Sequence, residues 1–347
     1  MKKILFFAAA LLTVTAANAK VWRINYEDNA NADFKTIAAA CEATEVADTD
    51  TLYCEAGYYP AGNEISRNGM TVIGPGWGFT PNYGNTSTIA EARFTTDLYV
   101  SANNVTLMGL VCDETISLGG GTRSNCVVER CKAKKIYWNG DYCYDSTIKN
   151  CYLLTQLSLC GRLRNIDIIG NIITPYYERA IDINAADDQV SNINILNNTL
   201  TAVTGNSMIV TKNSVIQDNI LVNAGDTWVM DFDQTGNIIR KNVFSLSSDY
   251  ISEKYPDNYY VSATIANTFV NETGAYSDEA MKFQLLETSP AKGKAYDGGD
   301  CGAFGGTSPY IICGRPQGIP YIYDVEVPAQ PKDNKLHVTF KVKGQNE

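Results

Sequence analysis

A six-residue pattern recurs along the middle of the chain and constrains the fold more than any other feature. Each copy has two outer apolar residues and a central marker residue, as in residues 195–200 and 216–221. The markers are Leu110, Cys131, Cys151, Asn171, Asn198, Asn219 and Asn242, which lie 21, 20, 20, 27, 21 and 23 residues apart. A near-constant period of this length predicts a solenoid, in which each repeat buries its apolar face only against its neighbours.

The residues within one period favour strands over helices. The apolar positions are mostly β-branched and alternate with a period of two. Second strands are predicted after five of the markers, at 135–138, 156–159, 180–183, 207–210 and 228–232. Short strands joined by Asn and Gly corners are typical of a parallel β-helix, whereas the consensus of leucine-rich repeats is missing. We therefore predict an all-β parallel β-helix, in which the marker asparagines are scaffold residues that bond the backbone and stack between coils.

The first 19 residues have the pattern of a signal peptide. Lys2 and Lys3 precede an apolar run over 4–14, and Ala17-Asn18-Ala19 is a small-residue cleavage site. The apolar run is too short to span a bilayer, and no later stretch has the composition of a membrane span. We expect an exported protein that is secreted, periplasmic or attached to the cell surface.

Charge and the residue inventory exclude several functions. The net charge is −10, or −12 without Lys2 and Lys3, which excludes nucleic-acid binding through a phosphate-neutralising surface. The same charge repels polyanionic glycans unless a cation intervenes or basic residues cluster. The single histidine, His337, lies in a predicted exposed strand, which excludes Ser-His-Asp and Cys-His catalysis. No Cys-x-x-Cys pair is present, so no metal site is predicted.

The sequence predicts three segments. Residues 1–19 are the signal peptide, residues 20–312 the solenoid, and residues 313–347 a Pro-rich extension with one edge strand at 335–343. An amphipathic helix over 33–45, with Asp33 as its N-cap, is predicted to cover the N-terminal end of the solenoid core. Among the ten cysteines, Cys41 with Cys54 and Cys301 with Cys313 are predicted to pair.

Several segments resemble one known superfamily. Residues 33–37 (Asp-Phe-Lys-Thr-Ile), residues 50–59, the Asn-marked coils and the closing segments 289–293 and 297–305 resemble exported bacterial members of the pectin-lyase-like superfamily. The resemblance covers roughly residues 33–306 and implies a right-handed β-helix that binds or processes polysaccharide, as a lyase or a glycoside hydrolase. The alternative is a non-catalytic glycan-binding or adhesive surface protein, and a third hypothesis is a purely structural solenoid. A lyase would need Ca²⁺, and no other cofactor is expected. The glycan is the only expected partner, and we expect a monomer.

Candidate site residues come from the outward positions of the second strands. Asp182 points outward between Ile181 and Ile183, and Asp231 points outward in 228–232, about two coils or ~9.6 Å away. That separation is near the upper limit for the two carboxylates of an inverting glycosidase, so Asp182 and Asp231 are the predicted catalytic pair. The predicted substrate-binding residues are Arg179, Lys212, Asp233 and Tyr137, with Arg179 or Lys212 as the base in a lyase. The competing interpretation is a solvated strand face without a ligand.

Overall fold

A computed structural model shows how the coils stack. It describes residues 19–77, 91–176, 178–185, 187–202, 208–223, 236–245, 253, 255–261, 263–272, 278–311, 314, 321–326, 335 and 338–343. Over these residues, 23 strands belong to one sheet in which neighbouring strands pair in parallel across successive coils. The predicted all-β parallel β-helix is therefore confirmed.

The stacked strands form four columns, here named A to D in chain order from the strand that precedes the marker; only the central coils pass through all four. Column A comprises Val21–Ile24, Thr51–Cys54, Thr71–Ile73, Thr106–Met108, Val127–Glu129, 147–149, 166–169, 193–196, Ser214–Gln217 and Ile238–Arg240. Column B, which follows the marker, comprises Gly57–Tyr59, Ala92–Phe94, 111–112, 132–133, 152–153, Ile172–Ile173, Thr199–Ala202, Ile220–Asn223, Val243–Phe244 and Tyr259–Tyr260.

Columns C and D complete the coil. Column C comprises Glu64–Ile65, Leu98–Val100, 115–119, 135–139, 156–160, Ile181–Asn184 and Ile209–Val210. Column D comprises Thr122–Ser124, 142–144, 162–164 and 190–191. Several columns run on without a break in the long strands Val111–Gly119, Lys132–Lys149, Tyr152–Ile169 and Val190–Leu196. The predicted second strands at 135–138, 156–159 and 180–183 thus belong to column C.

The marker residues stack in one buried column, as predicted. From Asn198 onward, the side-chain oxygen of each asparagine accepts hydrogen bonds from the backbone N–H and the side-chain amide of the asparagine before it, as between Asn198 and Asn219 (2.8 and 2.9 Å). The oxygen of Asn171 accepts from the backbone N–H of Cys151 (2.9 Å). The Nδ2 group also donates to a carbonyl of the previous coil, for example Asn219 to Ile195 (2.8 Å). The ladder runs from Asn171 to Asn258, so it includes one asparagine that the sequence pattern missed. Because the side-chain amides of the ladder have hydrogen-bond partners for both their oxygen and their nitrogen, the ladder fixes the register of the coils.

The residue before each marker turns the chain. It has a positive φ at Gly109, Arg130, Asn150, Gly170, Asn197, Asp218 and Lys241. This left-handed conformation costs little for Gly and Asn, which explains why those residues are common at the corner. A second left-handed position, held by Asn or Asp in most coils, opens column A.

All the described cysteines except Cys160 are buried, and none of them forms a bridge. Cys54 is the last inward residue of strand Thr51–Cys54, and Cys41 lies on the buried face of the cap helix. Both are free thiols, as is every cysteine that the structure describes, so the predicted Cys41–Cys54 disulfide is wrong. Cys301 is also a buried free thiol, so its predicted bridge is absent, while Cys313 lies outside the described residues. Burial raises the pKa of the Cys54 thiol, which keeps it protonated and unreactive.

The cap helix is shorter than predicted. It spans Ile37–Glu42, and Thr36 caps it by accepting a hydrogen bond from the Ala39 N–H (3.1 Å). Asp33, the predicted cap, instead accepts from the backbone N–H of Arg23 (2.8 Å), so it ties the approach to the helix to the first strand. The helix packs Ile37 into the apolar end of the core, as a solenoid cap must.

The outward face of column B is covered by the chain that follows the last coil. The outward residues Val111, Tyr152, Ile172, Ile220 and Val243 are apolar and buried. The segment over them, 278–311, is named the strap; it contains the 3₁₀ helix Glu279–Phe283 and is preceded by the short helix Ile265–Thr268.

Hydrogen bonds fix the strap to the coils at several heights. The backbone N–H of Ala303 donates to the Thr199 hydroxyl (2.9 Å), and that of Tyr296 donates to the Asp218 carboxylate (2.8 Å). Burial raises the pKa of Asp218, and Asp297 adds to the effect, although the bonds from Gln217 and Tyr296 oppose it. These bonds hold the strap along column B.

The C-terminal extension contains a hairpin. Strands Tyr321–Glu326 and Thr339–Lys343 pair in antiparallel fashion, whereas the sequence predicts only the second of them. Their ladder forms a sheet of its own, separate from that of the solenoid.

Candidate glycan-binding site: outer strip and glycine-floored cleft

The outward residues at the centre of column C form one straight ladder, here named the outer strip. Its members in successive coils are Tyr99, Ser117, Tyr137, Ser158 and Asp182. Tyr99 is 50% exposed, whereas Ser117 and Ser158 are 8% and 7% exposed because taller neighbours stand on both sides of each serine. Large and small residues therefore alternate along the outer strip. The large side chains, which project from the sheet, recur every two coils, or ~9.6 Å apart. The strip presents shallow slots between these side chains.

Tyr137 is held in place by its neighbours. The Lys135 ammonium lies 5.1 Å from the centre of the Tyr137 ring, within the range of a cation–π contact. Burial raises the pKa of the Tyr137 phenol, and the neighbouring Cys160 thiol of the next coil adds to the effect. The adjacent residue Trp138 points inward and is fully buried. Tyr137 is thus a positioned ring on the surface, suited to stacking on an apolar face of a ligand.

Asp182 and Arg179 are brought together, as the sequence predicts for site neighbours. The Arg179 guanidinium donates to the Asp182 carboxylate over 3.1 Å, and both side chains stay partly exposed. Ile181 and Ile183 are buried on either side of Asp182, which confirms its outward direction. Such an exposed pair contributes little to stability, but it sets two hydrogen-bonding groups beside the strip.

Of the other predicted site residues, the structure describes only Lys212. The ladder neighbour of Asp182 in the following coil is Val210, and Lys212 lies two residues beyond the end of that strand. Asp231 and Asp233 lie outside the described residues. The structure thus brings together Tyr137, Asp182 and Arg179, whereas the predicted pair of catalytic carboxylates stays a prediction.

A second feature, missed in the sequence, lies where column C turns into column D. Gly121, Gly140 and Gly161 occupy this turn in three successive coils and form the floor of an open cleft. Gly121 and Gly161 have φ of +83° and +90°, and a Cβ on Gly140 or Gly161 would overlap the carbonyl oxygen of the coil before it. Side chains are thus excluded, so the floor is bare backbone. The recurrence of glycine at nearly the coil period was the available signal.

The walls of this glycine-floored cleft come from column D and from the longest coil. Tyr142 pairs with Arg162 in the next coil; the guanidinium donates to the phenol oxygen over 3.0 Å and lies 5.2 Å from the ring centre. Arg164 lies two residues along the same strand. Gln189, at the end of the 3₁₀ helix Asp187–Gln189, closes one end. Two adjoining hollows of about 710 and 310 Å³ share Tyr142, Arg162 and Gln189, so the cleft is continuous.

The outer strip and the cleft form one surface. Asn139 is exposed, lies two residues after Tyr137 on the same strand and lines the cleft. The extra residues of the 27-residue repeat supply a wall of the cleft through Asp188 and Gln189. Within the described residues, no group of three acidic, His or Cys side chains is arranged to hold a metal ion.

Comparison with protein-family models, curated proteins and solved structures finds no match for this chain. The fold itself places the chain among the parallel β-solenoids. A helix caps the solenoid, and the strap covers one of its faces. In the part of the chain that the structure describes, no helix has the length and apolar character needed to cross a membrane.

Proposed function

We propose that this chain is an exported β-helix protein that binds polysaccharide along the outer strip. The observation that carries the proposal is the alternation of large and small side chains in one ladder, from Tyr99 through Tyr137 to Asp182. A stacked surface of this kind suits a long ligand that lies across several coils. The Tyr99 and Tyr137 rings can pack against the apolar faces of sugar rings, and the Arg179–Asp182 pair can form hydrogen bonds with sugar hydroxyl groups.

Cleavage of the bound glycan is the second candidate. It rests on the outward carboxylate of Asp182 beside Arg179 and on the sequence prediction that Asp231 is its catalytic partner. Hydrolase chemistry would use the two carboxylates, whereas lyase chemistry would use a basic residue with Ca²⁺. Export rests on the signal-peptide pattern of residues 1–19, and membership of the pectin-lyase-like superfamily rests on the sequence resemblance together with the solenoid.

A glycan screen tests both candidates. The mature protein, beginning at Lys20, is incubated with immobilised and soluble polyuronates, glycosaminoglycans and neutral glycans, with and without Ca²⁺. Binding is measured by affinity electrophoresis and calorimetry, and cleavage by new reducing ends and by absorbance of unsaturated products. Binding without products supports the non-catalytic candidate, and products of either kind support the enzyme. Absence of binding to any glycan contradicts the proposal.

Site variants then locate the binding surface. Tyr137→Ala and Asp182→Asn should each weaken binding about five- to tenfold, since each removes a contact of roughly 1 to 1.4 kcal/mol. Tyr26→Ala removes a 37%-exposed tyrosine at the N-terminal end, and Asp113→Asn disrupts the matched exposed pair with Arg93 (3.0 Å); both should bind normally. Equal affinity of the site and control variants would place the glycan elsewhere.

A further inference from the structure

The charge environment of the glycine-floored cleft differs from that of the rest of the described chain. Of the nine arginines that the structure describes, five have a carboxylate within 4.0 Å; these are Arg23, Arg67, Arg93, Arg130 and Arg179. Arg123 instead donates to backbone carbonyls, and Arg240 donates to the side-chain carbonyl of Gln217. Arg162 and Arg164 form no ion pair with any carboxylate in the described residues, although the chain has a net charge of −10. Arg162 and Arg164 thus place two positive charges, neither of them bonded to a carboxylate or a carbonyl, on one wall of a cleft in an acidic protein, an arrangement that suits an anionic ligand.

The two guanidinium groups are presented to the same side. Residues 162 and 164 alternate with Leu163, which points inward and is buried, so both arginines face outward from one strand. The phenol of Tyr142 accepts from Arg162 and limits its freedom, which reduces the entropy lost when a ligand binds. Both side chains are exposed and line the cleft.

The remaining groups around the cleft suit a sugar. The bare floor of Gly121, Gly140 and Gly161 leaves depth beneath the arginines and exposes backbone to a close approach. Asp141 and Asp188 border the cleft, yet neither lies within ion-pair distance of Arg162 or Arg164. Their carboxylates remain available to accept hydrogen bonds from hydroxyl groups, while the guanidinium groups remain available for an anion.

We propose that this cleft binds the oxyanion of an acidic sugar unit, a uronate carboxylate or a sulfate ester, through Arg162 and Arg164. A guanidinium donates paired hydrogen bonds to such a group, and these charge-assisted bonds are stronger than neutral ones. The clustered positive charge overcomes the repulsion that the acidic surface otherwise exerts on a polyanion, so no bridging cation is needed. The inference rests on the proposed glycan-binding function and adds the class of glycan to it.

The test compares acidic and neutral ligands in the absence of divalent cations. Binding of oligouronates, sulfated oligosaccharides and neutral oligosaccharides to the mature protein is measured by calorimetry in EDTA. We expect at least one acidic class to bind, and the double variant Arg162→Gln, Arg164→Gln to bind it at least tenfold more weakly. The matched control Arg23→Gln, Lys35→Gln removes the same charge from the N-terminal end and should bind like the parent protein. Circular dichroism and thermal unfolding check that both variants fold.

The outcomes separate the inference from the function on which it rests. Neutral oligosaccharides that bind while both acidic classes fail would uphold glycan binding and overturn the cleft assignment. Acidic ligands that bind the arginine double variant and the parent equally would likewise overturn it. Equal weakening in the double variant and in the charge-matched control would show that net charge acts and not the cleft. Failure of every glycan class would overturn both proposals.

Discussion

Replacing Asn219 with alanine removes the central rung of the asparagine ladder and should destabilise the solenoid strongly. Its Nδ2 group donates to the carbonyls of Ile195 and Gln217 and to the Asn242 side chain, over 2.8 to 2.9 Å. Its side-chain oxygen accepts from the N–H and the amide of Asn198. An amide has two N–H groups and two acceptor lone pairs, so these five contacts amount to at most four full hydrogen bonds. At about 1 kcal/mol each, their loss should lower the free energy of unfolding by about 4 kcal/mol. All of these bonds except the partly buried one to Gln217 are buried, so water cannot replace them.

Asn194→Ala is the matched control for this substitution. Asn194 lies on the partly exposed face of column A, and its amide makes one side-chain bond, to Asp167 (2.8 Å). Its loss should cost about 1 kcal/mol or less, since solvent can satisfy the partner. The midpoint and slope of urea unfolding, followed by circular dichroism, give the difference. If Asn219→Ala costs no more than Asn194→Ala, the ladder does not stabilise the coils.

Asn219→Asp sharpens the same test. The introduced carboxylate would keep the acceptor for Asn198 but would turn a donor into an acceptor that faces the carbonyls of Ile195 and Gln217. Burial and these carbonyls would raise the folded-state pKa of the new group above its unfolded value, so its penalty should fall in acid and grow as the pH rises. A penalty that is independent of pH would contradict this account.

Three further predictions follow from other parts of the molecule. Burial raises the pKa of Asp218 in the folded state, so the stability that this carboxyl contributes is present at low pH and lost as the pH rises through that pKa. Asp218→Asn should therefore raise the melting temperature at neutral pH, by an amount that vanishes near pH ~3. Among the described thiols Cys160 alone is not buried, so it should react first with a thiol reagent in the native protein. Gly161→Ala should cost several times more than Gly121→Ala, whose left-handed φ costs about 1–2 kcal/mol, because only at Gly161 does the Cβ overlap a carbonyl of the coil before it.

Each of these has a defined contrary result. A melting temperature of Asp218→Asn that stays below that of the parent at neutral pH would mean that the charged form is favoured by the strap. Labelling of another described cysteine before Cys160, identified by mass spectrometry, would show that the coils open more readily than their packing implies. Equal unfolding midpoints for Gly161→Ala and Gly121→Ala would show that the coils can separate to admit a side chain.

The parts of the fold that repeat were predictable, because corner chemistry recurs at the same point of each coil. The same hydrogen bonds recur at each marker asparagine, so the ladder shows in the sequence as a regular spacing of Asn171, Asn198, Asn219 and Asn242. Asn258 was missed because its interval is short and the apolar residue that opens the pattern is absent.

The parts that depend on non-repeating contacts were predicted poorly. The cap helix was predicted too long because Asp33 is a residue type that often caps helices. Its carboxylate accepts from the backbone N–H of Arg23 instead. The disulfides were wrong because a cysteine in an inward position looks the same in sequence as one in a bridge. Outward Asp182 and Tyr137 followed from alternation with buried neighbours. The cleft did not, because its walls join side chains whose pairing across coils has no pattern in the sequence.

The strap has a consequence for the order in which the molecule assembles. The Trp77 indole donates to the Asp278 carboxylate across 201 residues of sequence (3.2 Å), and the strap spans outward residues from Val111 to Val243. The coils can add one after another as the chain emerges, each on the edge of its predecessor, but the strap has no surface to dock on until they are complete. Its docking is therefore a late, long-range closing step. That step links coils that would otherwise unfold separately, and it gives an extended array the cooperativity of a compact domain.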